Sequence, residues 1–182
     1  KRAPDSEEAL GYLSSVIAQL GVKRAVRSNE DVFQQLAVDS TLGRPGTQTK
    51  IVTTIIARDE SRSDENRSET TLRQLMIDAD IGITGADYAV AETGSVVVLP
   101  RAGLSRLVSL APPVHLALVR PQDVLDTLDD VFLLRRLHYY RNGGDMGSYL
   151  NFITGPSRTA DIEQTLVVGV HGPKEVHMII LG

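Results

Sequence analysis

The sequence predicts an α/β fold: a mostly parallel sheet flanked by helices, formed by one domain over residues 1–182. Three observations lead there. Short runs rich in β-branched residues alternate with segments of helical spacing. One of those runs, KIVTTIIA at Lys50–Ala57, is apolar without alternation, as a strand covered on both faces must be. Glycine-rich stretches follow the strands, where such sheets carry their ligands.

The bulk numbers agree. The chain has 182 residues, 42% hydrophobic and 23% charged, enough for one packed core and typical of a globular domain. With 19 basic and 23 acidic residues the net charge is −4, and no basic run is present. Nucleic acid is therefore not the expected partner, because its phosphates are bound by clustered Lys and Arg. There is no cysteine, which excludes disulfides, cysteine-held zinc or iron–sulfur clusters and a thiol nucleophile. No apolar run approaches the roughly 20 residues that span a bilayer. The N-terminus lacks the apolar stretch of a signal peptide, and the expected compartment is the cytoplasm. The first residue is Lys rather than Met, so the chain is expected to begin inside a longer protein.

The elements follow in order. Asp5 and Glu8 read as a variant capping box, Leu10, Leu13, Ile17 and Leu20 recur at helical spacing, and Gly21 supplies the stop. Val22–Val26 is a short strand, Asp31–Leu42 a helix ended by Gly43 and Pro45, and Lys50–Ala57 a buried strand. Arg58–Glu69 holds three arginines and five carboxylates without a large apolar residue, and reads as a solvated surface loop in preference to a mobile lid or docking loop. Thr70–Ala79 is a helix, and Ile81–Thr84, Ser95–Pro100 and His115–Val119 are strands. Gln122–Leu137 is the strongest helix, with Val124, Leu125, Leu128, Val131 and Phe132 as its apolar stripe and charges that match the helix dipole. Residues 138–149 form a Gly/Tyr-rich loop. Phe152–Thr154 is a short strand leading into a loop and a helix, and Glu175–Leu181 is the closing strand.

Two loops carry the candidate chemistry. In the first, residues 82–94, Gly85 and Gly94 let the backbone turn and approach a ligand, with Asp87, Glu92 and Thr93 beside them. Glu92 precedes a buried strand, so it is expected to be withdrawn from water and to face the second loop. There it would serve as a general base or nucleophile. The alternative, that Asp87 and Glu92 only cap helices or pair with arginine, stays open. In the second loop, 154–163, a strand ends at Thr154, Gly155-Pro156 turns the chain, and a helix is expected from Ser157 or Thr159. Its free N–H groups, the Ser157 and Thr159 hydroxyls and the Arg158 fork suit an anion. Plain capping is the competing reading, and Asp161 and Glu163 would repel an anion. His115 at a strand start and His171 in a Gly-Pro turn are candidate acid/base groups, whereas His177 inside a strand reads as structural. His171 and His177 lack a clean metal spacing, and no metal is expected. The nucleotide and dinucleotide fingerprints and the G-x-S-x-G elbow are all missing, so no cofactor is expected.

Three segments taken together resemble a known family. They are Ala79–Gly94 (ADIGITGADYAVAETG), Ser109–His115 (SLAPPVH), and Ile153–Glu163 (ITGPSRTADIE) with Gly169–Pro173 (GVHGP). They resemble the LUD-domain family, in its lactate-utilisation protein C (LutC/YkgG-like) branch, over residues 70–182. Residues 1–69 match in pattern only, and the charged loop 58–69 is not part of the likeness. The resemblance implies a fold similar to sugar-phosphate isomerases, glucosamine-phosphate deaminase and CoA transferases (the NagB/RpiA/CoA-transferase-like fold). It also implies a place in L-lactate oxidation to pyruvate beside partner proteins, at least one bearing iron–sulfur clusters. The expected role is a subunit that binds a small 2-hydroxy or 2-oxo acid, or an accessory one. An acyl- or CoA-transferring enzyme with Glu92 as nucleophile and a non-catalytic scaffold or regulatory domain are the alternatives.

Overall fold

A computed structural model describes residues 1–42, 52–55, 73–99, 105–145, 149–160 and 166–182. The charged stretch 58–69 and residues 161–163 lie outside them. The centre is a six-stranded sheet of β1 (Arg2–Ala3), β2 (Arg24–Arg27), β3 (Val52–Ile55), β4 (Ile81–Gly85), β7 (Val114–Val119) and β12 (Glu175–Leu181). Their order is β1-β12-β7-β4-β2-β3, and every pairing is parallel. Both faces are covered. Ile81, Ile83, Leu116, Leu118 and Ile179 point to a core shared with α1 (Ser6–Leu20), α2 (Val32–Gln35) and α3 (Val38–Leu42). On the other face Val26 meets Met76 of α4 (residues 73–77) and Val108 of α5 (Ser105–Leu110).

A second sheet shares that other face and was not anticipated. It runs β8 (Val124–Leu125), β5 (Tyr88–Val90), β6 (Ser95–Val98), β9 (Asn151–Ile153). Val96, Val98 and Ile153 pack on Ala117, Val176 and Met178 of the central sheet. Its outer side carries α6 (Leu128–Arg141), whose Val131 and Leu128 pack on Val90, Val97 and Phe152. Two further strands, β10 (Arg158–Ala160) and β11 (Leu166–Val168), form an antiparallel hairpin.

Local signals account for most boundaries. The Asp5 carboxylate accepts a hydrogen bond from the Glu8 N–H at 2.8 Å, and Gly21 closes α1 with φ 62°. Tyr12 of α1 bonds His177 Nδ1 at 2.9 Å, and His177 Nε2 lies 2.8 Å from Glu175, which ties α1 to β12. Elsewhere tertiary pairing overrides local propensity. The helix expected over 31–42 is broken at Leu36, which is extended (φ −116°, ψ 115°). The helix expected from Gln122 begins at Leu128, because Val124 and Leu125 pair with Ala89 and Val90 instead. It continues to Arg141, through what reads as the start of a loop.

No described helix is long and apolar enough to cross a membrane. Two glycines give opposite tests of this packing. A Cβ on Gly82 would collide with the Val108 carbonyl, because α5 lies directly on β4, whereas one on Gly11 in α1 meets nothing within 4 Å. Gly82→Ala is expected to destabilise the fold by about 3 kcal/mol or more. Gly11→Ala is expected to stabilise it by about 0.5–1 kcal/mol. Urea denaturation of the two variants checks both signs.

Candidate functional site

In parallel sheets ligands settle beyond the carboxyl ends of the strands, where the strand order reverses. Here β3 lies on one side of β2 and β4 on the other, so that point falls between β2 and β4. Its polar groups come from β2 and the segment after it, and sequence reasoning missed them. Buried Arg27 holds Asp39 in a two-pronged pair of 2.8 and 2.7 Å, donates to Ser28 O at 2.9 Å, and lies 4.7 Å from the Phe33 ring centroid. The hydrogen bond from Arg27 holds the Asp39 carboxyl below the usual range, against the opposing effect of burial. Ser28 Oγ donates to Glu30 Oε2, which also accepts the Gly85 N–H at 3.3 Å. Gly85 therefore does mark a close approach, but by Glu30 and Val32 of the chain itself: a Cβ there would lie 3.0–3.1 Å from them.

The two loops singled out in the sequence are joined by the antiparallel pairing of β6 and β9, in which Val96 faces Ile153. The next rung sets Ser95 beside Thr154. Their hydroxyls are 2.6 Å apart, and Ser95 Oγ is 2.7 Å from Thr93 Oγ1, giving a continuous chain of three. Ser95 is buried, while Thr93 and Thr154 are exposed. Gly94 (φ 66°) and Gly155 (φ 78°) hold the left-handed turns on either side, conformations that side chains disfavour. Three hydroxyls joined by two hydrogen bonds retain one O–H to donate outward. Reversing the chain moves that donor from the Thr154 end to the Thr93 end. Such a rim can face either a hydroxyl or a carbonyl oxygen.

Glu92 departs from its expectation. It is exposed, and its Oε2 accepts the Leu128 N–H at 3.2 Å, at the first turn of α6. Its own N–H donates to Asp126 O at 3.0 Å. The carboxylate is thus not withdrawn from water, no ion pair joins it to Arg158, and it closes the amino end of a helix 36 residues on. Asp87 is also engaged: Oδ2 accepts the Leu99 N–H at 2.7 Å, and its N–H donates to Val97 O.

Among the described residues, the helix expected to start at Ser157 or Thr159 does not form: Arg158–Ala160 is a strand. Arg158 and Thr159 lie on β10, opposite Val168 and Val167, so no helix dipole or row of free N–H groups serves an anion there. Ser157 is a strap instead: its N–H donates to Pro173 O at 2.8 Å, its carbonyl accepts the Gly169 N–H at 2.9 Å, and its hydroxyl accepts the His171 N–H at 3.2 Å. His171 and Arg158 are exposed and Thr159 half-buried.

His115 is corrected more sharply. Its side chain is fully buried, Nε2 lies 2.9 Å from Thr84 Oγ1, and Nδ1 has no partner. Burial lowers its pKa to about 4, so it is neutral at pH 7 and sealed in the core, unable to act as a surface acid or base. Among the described residues no group of three His, Asp or Glu could hold a metal ion.

Two measurements test these assignments. Because the folded-state pKa of His115 is depressed, the unfolded chain binds the extra proton first. Its contribution is fully present above about pH 6.5 and is lost as pH falls toward 4, by about 3 kcal/mol over that window. His115→Gln is expected to remove that part of the slope in urea unfolding followed against pH. Glu92→Gln is expected to leave stability unchanged, since an amide oxygen still accepts the Leu128 N–H. Glu92→Ala loses about 0.5–1 kcal/mol. Equal losses in the two variants would contradict the capping assignment.

Comparison with known proteins gives the family. The LUD-domain family model matches residues 1–181. Lactate utilization protein C of Halalkalibacterium halodurans is 33% identical over 170 residues, covering 93% of this chain and 67% of that protein. Protein YkgG of Escherichia coli is 32% identical over 164 residues, covering 89% and 64%. The lactate utilization protein C of Bacillus subtilis is 35% identical over 118 residues, covering 65% and 48%. The chain thus spans about half to two thirds of the length of these relatives. A crystal structure of a DUF162 family protein from Deinococcus radiodurans aligns over 99% of this chain and 100% of its own, at 20% identity and a TM-score of 0.44. With the family model matched from end to end, this chain belongs to the LUD-domain family.

Proposed function

We propose that this chain is a component of an L-lactate utilisation system, holding a small 2-hydroxy or 2-oxo acid where its two glycine turns meet. Iron–sulfur partner proteins would accept the two electrons that leave lactate as it becomes pyruvate. The relatives named lactate utilization protein C support the system. The single structural observation that carries the ligand class is the Thr93–Ser95–Thr154 hydroxyl chain. A lactate hydroxyl both donates and accepts, and a pyruvate carbonyl only accepts. A hydroxyl chain that reverses polarity without moving a heavy atom accommodates both. Arg158, exposed at the start of β10, is the guanidinium assigned to the carboxylate. The role is binding and positioning. Glu92 enters as the cap that fixes α6 beside the first turn.

Isothermal titration with L-lactate and pyruvate tests this reading. Thr154→Val removes one neutral hydrogen bond and is expected to weaken both ligands about 2- to 10-fold. Arg158→Ala removes a charge-assisted one and is expected to cost about tenfold or more. Unchanged affinity in a folded Arg158→Ala protein would place the site elsewhere. The purified chain without partners is expected to show no lactate-dependent reduction of a dye acceptor. Turnover by the flavin-free, metal-free chain would contradict the accessory role.

A further inference from the structure

Three titratable side chains stand in a row on the α1 side of the central sheet, the side opposite the second sheet and its hydroxyl chain. Glu175 Oε1 is 2.8 Å from His177 Nε2, and His177 Nδ1 is 2.9 Å from the Tyr12 hydroxyl. Side chains alternate along a strand, so Glu175 and His177 face α1 while Val176 and Met178 face the second sheet.

The proton positions follow from the partners. A carboxylate accepts hydrogen bonds and does not donate them, so Nε2 carries the ring proton and donates to Glu175. Nδ1 is then a lone pair, and the Tyr12 O–H donates to it. A hydroxyl, an imidazole base and a carboxylate that fixes the base's tautomer stand in the order that activates the serine of a hydrolase triad, with a phenol in the serine's place. The row is open to solvent at one end. Tyr12 is half-buried, and the Glu175 side chain is 45% exposed. Strand β1 pairs with Ile180 and Leu181 alone, so among the described residues no strand covers the outer edge of β12 beside His177.

We propose that Tyr12 is an acyl-acceptor site, which takes an acyl group from an activated ester. The Tyr12 oxygen attacks the acyl carbon as its proton passes to His177 Nδ1, and Glu175 faces the imidazolium that forms. The tetrahedral carbon then expels its alcohol or phenol group, which leaves with the proton held on Nδ1. The acyl group stays on Tyr12 as an ester. His177 is the base and Glu175 a positioning residue. The proposal is independent of the ligand reading, since these residues take no part in the hydroxyl chain.

Acetylation of the folded chain by p-nitrophenyl acetate near pH 7, followed by peptide mass mapping, tests it. Tyr140, 73% exposed, is the internal control, because accessibility alone would acetylate it first. Tyr12 is expected to react at least about tenfold faster than Tyr140. His177→Gln and Glu175→Gln are each expected to slow Tyr12 about tenfold or more and to leave Tyr140 unchanged. In the second variant the amide can donate to Nε2 and strand the ring proton on Nδ1. Glu175 lies at the exposed end of the row, so that variant is expected to keep the fold, which circular dichroism checks. A purely structural row predicts the opposite sign, because loosening α1 exposes Tyr12 and speeds its acetylation. Tyr12 reacting no faster than Tyr140, or a Tyr12 rate unchanged or raised in folded Glu175→Gln protein, overturns the proposal.

Discussion

The candidate site depends on the antiparallel pairing of β6 with β9. These strands are joined by more than fifty residues of chain, yet Val96, Val97 and Val98 meet Ile153, Phe152 and Asn151 rung for rung. That pairing alone brings Thr93 and Thr154 to one hydroxyl chain. It is held from both sides: Val96, Val98 and Ile153 press on the central sheet, while Val97 and Phe152 lie under α6. Because side chains alternate along a strand, a one-residue slip would exchange these two sets and place each in the wrong layer. The register that buries the valines is thus the register that aligns the hydroxyls.

The same layering explains what the carboxylates do. Asp87 fixes the far end of the β5–β6 hairpin through the Leu99 N–H, and Glu92 fixes the start of α6 through the Leu128 N–H. Both sit beside glycine turns, where a carboxylate invites a catalytic reading, and both satisfy backbone donors that would otherwise lack partners. At the switch point Glu30 does comparable work for Gly85. The rim between the turns is consequently dominated by hydroxyl groups.

How far the sequence is legible follows from how local each signal is. The cap at Asp5 and the stop at Gly21 lie within a few residues of what they determine, and α1 forms where expected. The parallel core was legible for a similar reason: apolar runs such as Leu116–Val119 are buried throughout. Val124 and Leu125 extend the helical spacing of α6 yet form a strand, because β5 offers them a ladder that periodicity alone does not show. Arg158–Ala160 likewise forms a hairpin with Leu166–Val168 in place of a helix. Both loops of the candidate site were legible from their glycines, but the hydrogen bonds within it were not. Glu92 answers to a residue 36 positions away, and Ser95, which carried no motif, is the central link between the loops.

Small 2-hydroxy and 2-oxo acids are proposed to be held where Thr93, Ser95 and Thr154 meet. It is tested most directly by amide chemical-shift mapping of the isotope-labelled chain during titration with L-lactate and then pyruvate. Saturable shifts are expected to concentrate at residues 92–96 and 153–158, at the same residues for both acids, with the backbone around Ser28 and Glu30 unmoved. Shifts confined to the Ser28–Glu30–Gly85 end of the central sheet, or no saturable shift at millimolar acid, would contradict it.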